Sequence, residues 1–258
     1  MKQTLMITIL CLAIAAMATA QQKPADQATK PPAAMSTTPM PTVDQILDKY
    51  VQALGGKAAI EKITSMSAKG SIDIPTFGAS GTVEIWGKAP NKNGVRLDIA
   101  GFGIVQEGFN GTVAFAQDPQ SGLREKTGAE LAGEKLDSEF NKPLKLKQLY
   151  GKITVKGKDK VADKEAYVLE ATPADSPTET WYFDAASGLL VRSDIQRESP
   201  QGKVTFQIYQ EDYKEVDGVK VPHTIRNVSE AISFTLKLDE VKHNVAIDDT
   251  KFNKPATQ

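Results

Sequence analysis

What most constrains this chain is a change of apolar period at Thr64. Before it, Val43, Ile46, Leu47, Tyr50, Val51 and Leu54 recur at the three- and four-residue steps of one helical face. After it the step becomes two. Ile72 and Ile74, Val83 and Ile85, then Val95, Leu97 and Ile99 alternate with polar or small neighbours, and the alternation returns in Tyr167, Leu169 and Ala171, in Phe206 and Ile208, and in Phe234, Leu236 and Leu238. Alternation of this kind belongs to an antiparallel sheet with one buried and one wet face. Turn residues punctuate the runs at Asn110-Gly111, Asp118 to Gly122, Asp184 to Gly188, Pro200 to Gly202 and Asp217-Gly218. The spacing predicts a mainly β meander of hairpins with about ten or eleven strands.

Few helices interrupt it. Thr42 stands where a cap would start the first helix, Val43 to Leu54, and Gly55-Gly56 ends it. Lys57 to Ile63 reads as a second, short helix. Ala132, Leu136 and Phe140 repeat at four and place a third over Gly128 to Asn141, stopped before Pro143. These three apolar helix faces need cover, and the concave side of the sheet is the surface that offers it.

The N-terminus has a different logic. Lys2 is followed by an apolar run from Leu5 to Met17 and then by Ala18-Thr19-Ala20, the arrangement of a secretory signal peptide cut after Ala20. Its single cysteine, Cys11, raises lipoprotein processing as a rival reading. The bulky Leu10 before it and the few apolar residues preceding it argue against acylation there. Residues 21–41 are rich in Pro, Ala, Gln and Thr and read as a flexible linker that buries too little surface to offset its ordering entropy. Residues 42–258 are then the folded domain, exported to the periplasm and monomeric, and without a thiol it depends on its core for stability.

Several function classes are disfavoured. Loss of Lys2 with the signal turns the 31 basic residues into 30 against 32 acidic ones, so no basic stripe is available for nucleic acid. The two histidines, His223 and His243, read as structural and solvent-facing, and no HxH, HExxH or CxxC spacing suggests a metal or another cofactor. Asp212 with Glu215, and Asp248 with Asp249, border turns beside lysines and read as surface carboxylates. Trp86 and Trp181 fall on the opposite phase from the apolar set, which places them at a cavity mouth or on the outer sheet face. The serines lack a nucleophile-elbow frame. The chain is expected not to be an enzyme.

Taken in order, Val43 to Tyr50 with Ala53 to Ala59, Lys88 to Lys92, Gly108 to Gly111, Tyr182 to Asp184 with Ser187 to Arg192, Asp212 to Pro222, and Asn244 to Asp249 with Phe252 resemble the LolA-like family, which includes periplasmic carriers called outer-membrane lipoprotein-sorting proteins. The resemblance spans nearly the whole domain. It implies an incomplete, half-closed antiparallel β-barrel whose short helices cover a hydrophobic cavity on the concave face. It also implies a non-catalytic carrier of lipid or lipoprotein acyl chains that meets membrane-associated donor and acceptor proteins transiently. An envelope sensor or protein-interaction domain on the same scaffold is the alternative, and a secreted hydrolase the third reading. The expected cavity lining is Val83, Ile85, Val95, Leu97, Ile99, Phe206, Ile208, Phe234, Leu236 and Leu238, with Ile46, Leu47, Tyr50 and Leu54 on a lid helix. An ordinary core would carry the same pattern; what favours a cavity is that a half-closed barrel leaves room its side chains do not fill.

Overall fold

The computed structural model describes residues 39–199 and 202–255, so the expected signal peptide (1–20) and nearly all of the expected linker (21–41) lie outside the described residues. From Pro41 onward the chain packs as one unit.

A capping box starts helix α1 (Val43–Ala53): the Thr42 hydroxyl accepts from the Gln45 amide at 3.2 Å, and the Gln45 side chain accepts from the Thr42 amide at 2.9 Å. Its apolar face is fully used, with Ile46, Leu47, Tyr50 and Leu54 all buried. Gly55 ends it at φ +124, so close to the turn at Gly218 that a Cβ would lie 2.0 Å from the Gly218 carbonyl oxygen. The Lys220 amide donates to the Leu54 carbonyl at 2.8 Å and completes the dock. Helix α2 is Lys57–Glu61, slightly shorter than its apolar pattern suggests.

Six strands follow as a meander: β1 (Ser65–Ile74), β2 (Ala79–Lys88), β3 (Lys92–Ile99), β4 (Gly103–Phe109), β5 (Ala114–Asp118) and β6 (Gly122–Glu125). After helices α3 (Gly128–Asp137) and α4 (Leu146–Leu149) comes a second meander: β7 (Tyr150–Val161), β8 (Lys164–Pro173), β9 (Glu179–Asp184), β10 (Leu190–Ser199), β11 (Gly202–Val216), β12 (Val219–Val228) and β13 (Ser233–His243). The first and last strands pair antiparallel, Ala68 opposite Val241 and Ile72 opposite Leu236, and this seam joins the two wings into one 13-stranded sheet. The sheet is a half-open antiparallel barrel with β6 and β7 as its free edges. The strand number exceeds the ten or eleven expected because strands as short as β5 and β6 carry almost no alternation. Edge strand β7 carries Lys152, Lys156, Lys158 and Lys160 and a bulge between Val155 and Gly157, features that discourage pairing with another sheet.

The register puts Ala68, Val83, Leu97 and Leu238 on the same face as Ile225, Ile208, Ser193, Trp181 and Leu169. This is the inner face. Helix α1, with Leu136 of α3 and Leu146 of α4, packs on it over β7 to β9, against Tyr150, Leu169, Ala171, Trp181 and Phe183. The cover therefore lies on the second wing. On the first wing and the seam, two smaller clusters around Val83 and Ile72 are made by strand residues with Ile232 of the β12–β13 turn, and no described helix residue joins them.

Two expectations about single residues are corrected. Trp181 points inward, since its strand partner is the buried Leu169, whereas Trp86 is on the outer face and lies flat over Gly94, where a Cβ would be 2.3 Å from the indole nitrogen. Nor do the histidines face solvent. His223 is buried, its Nδ1 3.0 Å from the Val221 carbonyl, and the His243 side chain is 3% exposed.

Candidate ligand cavity

Helix α3 works as a strap across the inner face. At its start Lys126 bridges Glu107 of β4 at 2.7 Å and Glu134 of α3 at 2.5 Å, and Arg124 of β6 holds Glu130 through two bonds of 2.8 and 2.9 Å. Burial opposes the charge on Lys126, yet its two carboxylates outweigh that and hold its pKa above the ordinary value. At the far end Asp137 accepts from Arg197 of β10 at 2.8 and 2.9 Å. The strap thus ties the first wing to the second by charge. Beyond it the Phe140 amide donates to the Pro90 carbonyl at 3.0 Å, a further tie to the β2–β3 turn.

Beneath this cover, on the second wing, lies a cavity of about 250 Å³. Tyr50, Pro143, Leu146, Trp181, Phe183, Leu190, Ile195 and Ile208 supply its apolar wall. At one end sits a carboxylate that is only 2% exposed, Glu179. One of its oxygens accepts from the Tyr150 hydroxyl at 2.8 Å and the Trp181 indole at 3.0 Å, and the other accepts from Arg197 at 3.1 Å. Three more of the five N–H groups of Arg197 go to Asp137 and to the Gln196 carbonyl. Burial opposes its charge, but Asp137 and Glu179 together raise its pKa. Burial, and then the charge of Glu179, push the Tyr150 phenol up. Lys142 pairs with Asp137 at 3.1 Å and brings the cations to two against two carboxylates, so the cluster is neutralised, its hydrogen-bonding capacity is nearly filled, and it suits a structural anchor better than a proton donor or acceptor.

A second cavity of about 220 Å³ adjoins the first. Tyr50, Pro143 and Gln210 line both, and Leu54, Ile60, Ile63, Met66 and Phe140 extend the second toward β1. Together the two reach the size of small-molecule sites, roughly 300–1,000 Å³.

Of the expected lining residues, Ile208 borders the first cavity. Val83, Ile99 and Leu238 are buried within the strand clusters, while Ile85, Val95, Leu97, Phe206, Phe234 and Leu236 are half-buried on the inner face. They form an apolar trough beside the helix-covered part. On the expected lid helix, Tyr50 lines both cavities and Leu54 the second, whereas Ile46 and Leu47 pack in the core. Sequence reasoning missed Glu179, Arg197, Tyr150 and Gln210. Each is a polar residue at an inward position of a strand, and only a breach of the alternation, such as Glu179 two before Trp181, could have drawn attention to them.

Among the described residues no group of histidine, cysteine and carboxylate side chains could hold a metal ion. No described helix is long and apolar enough to cross a membrane.

Comparison with known proteins places this geometry. No family model matches the chain, and no curated protein does. Solved structures do match. A LolA superfamily protein from Nitrosomonas europaea aligns over 83% of this chain and 99% of its own, with a TM-score of 0.55 at 15% identity. A DUF1329 family protein from Desulfovibrio piger aligns over 83% and 98%, with a TM-score of 0.54 at 12% identity. A putative outer membrane lipoprotein-sorting protein domain from Vibrio parahaemolyticus aligns over 81% and 96%, with a TM-score of 0.53 at 13% identity. At such identities the likeness is one of fold, and the fold is LolA-like.

Proposed function

We propose that this LolA-like domain is a non-catalytic, exported binder of acyl chains, a carrier of lipid or of lipoprotein lipid moieties. One observation carries the reading: apolar space of about 250 Å³ persists between the helical cover and the inner sheet face, beside a charge cluster that is already neutralised. Each methylene moved into such space contributes about 0.8 kcal/mol, so a run of about eight would supply about 6 kcal/mol before the cost of association. The half-buried trough of Ile85, Val95, Leu97, Phe206, Phe234 and Leu236, with Val83, Ile99 and Leu238 at its base, gives the chains a path beyond the cavity. Strap α3 spans both wings, and its release opens the site to a membrane donor or acceptor.

The test is to purify the protein from its native compartment, extract it with organic solvent and analyse the extract by mass spectrometry. A lipid recovered at near-equimolar amount supports the reading. An extract free of lipid, from protein that also fails to take up acyl chains in vitro, overturns it.

A further inference from the structure

We infer that the contact between the two cavities is a polar waist that recognises the carbonyl group of an acyl ester or amide; the inference rests on the acyl-binding reading above and specifies its ligand. Tyr50 is 7% exposed and lines both cavities, yet its hydroxyl makes no hydrogen bond to any described residue. Its ring packs 5.1 Å from that of Phe183, which holds the side chain in the wall that the two cavities share. The hydroxyl is not sealed off from solvent, so it opens onto the cavity space, where an acceptor brought by a ligand can take the place of water.

Gln210 lines the same junction. Tyr213 lies 2.8 Å from the Leu190 carbonyl and 2.7 Å from the Gln210 side chain, and its hydroxyl has one proton to give. Whichever way the Gln210 amide is turned, at least one of its N–H groups is left without an acceptor among the described residues. Two donors, Tyr50 and Gln210, thus face one junction.

The charges nearby narrow the ligand further. Arg197 places four of its five N–H groups on Asp137, Glu179 and the Gln196 carbonyl, and Lys142, the other cation in the wall of the first cavity, pairs with Asp137 at 3.1 Å, so two cations stand against two carboxylates there. With no net charge to offer an anion, this wall favours a neutral oxygen over a phosphate or carboxylate. An acyl chain could run from it along Leu146, Trp181 and Ile195 in one direction and along Leu54, Ile60 and Met66 in the other.

A matched pair of lipids separates this inference from the reading beneath it. 1-Decanoylglycerol carries the carbonyl and 1-O-decylglycerol lacks it, and calorimetric titration of both into the mature protein is expected to show the ester bound about fivefold more tightly, the worth of one net hydrogen bond. Tyr50→Phe keeps the ring and removes the donor, and the ester should lose that advantage; Gln210→Leu provides the second reading should Tyr50→Phe fail to fold. Equal affinity of the wild-type protein for both lipids, or an ester preference that survives in both variants, overturns the waist while leaving acyl binding intact. Binding of neither lipid overturns the acyl-binding reading and the waist with it.

Discussion

Arg197 on β10 donates to Asp137 at the end of α3 and to Glu179 on β9 from the same guanidinium fork, so one side chain fastens the strap to the buried carboxylate at the cavity end. Removing it should be costly. Arg197→Met leaves Glu179 buried with its charge uncompensated, and unpairing of a buried ion pair costs about 3–5 kcal/mol. Urea unfolding at neutral pH should show a large fall in midpoint, and Glu179→Gln in the same background should recover part of it.

The other half of the fork predicts a different outcome. Asp137 is 40% exposed on its side chain, so Asp137→Asn should cost less than about 1 kcal/mol in global stability. It nevertheless detaches the strap from β10. Release of a bound fluorescent fatty acyl probe into acceptor vesicles should therefore quicken while the unfolding midpoint hardly moves. An unchanged release rate would mean that α3 is not what retains the ligand.

The sequence makes the fold legible where periodicity is long. β13 alternates over Phe234, Leu236 and Leu238, and α1 repeats its apolar face over three turns, and both lie where the pattern puts them. β5 and β6 are too short to alternate, and pairing of β1 with β13 across the length of the domain leaves no local trace. The site was harder to read for a physical reason. A cavity wall and a packed core demand the same apolar residues, so periodicity finds the inner face without telling which part is hollow. The hollow depends on where the cover lands. α1 and α4 pack on the second wing, against Tyr150, Leu169, Trp181 and Phe183. The Glu179 cluster was invisible because Asp137, Tyr150 and Arg197 come from three separated elements.

Filling the hollow should abolish binding without unfolding the chain. Ile195 lines the first cavity and is half-buried on β10, so Ile195→Trp places an indole into space that is already vacant. Acyl-chain affinity should fall at least about tenfold in a titration, with a stability change within about 1 kcal/mol, because no packed neighbour need move. If affinity holds, the acyl chains bind elsewhere on the protein.

Stability should also vary with pH through His243. Burial lowers its pKa below the ordinary 6.5, against the opposing pull of Asp217, whose carboxylate lies 3.6 Å away. In the unfolded chain the imidazole takes up its proton near 6.5, but in the folded protein it does so only at lower pH. Across that window the unfolded state binds more protons, so stability rises with pH and is lost as pH falls below about 6.5. Because His243 also lines the second cavity, protonation adds a charge to the wall of the site. His243→Gln should flatten the dependence of the unfolding midpoint between about pH 7 and pH 5, and a slope that persists in that variant would assign the effect to other groups.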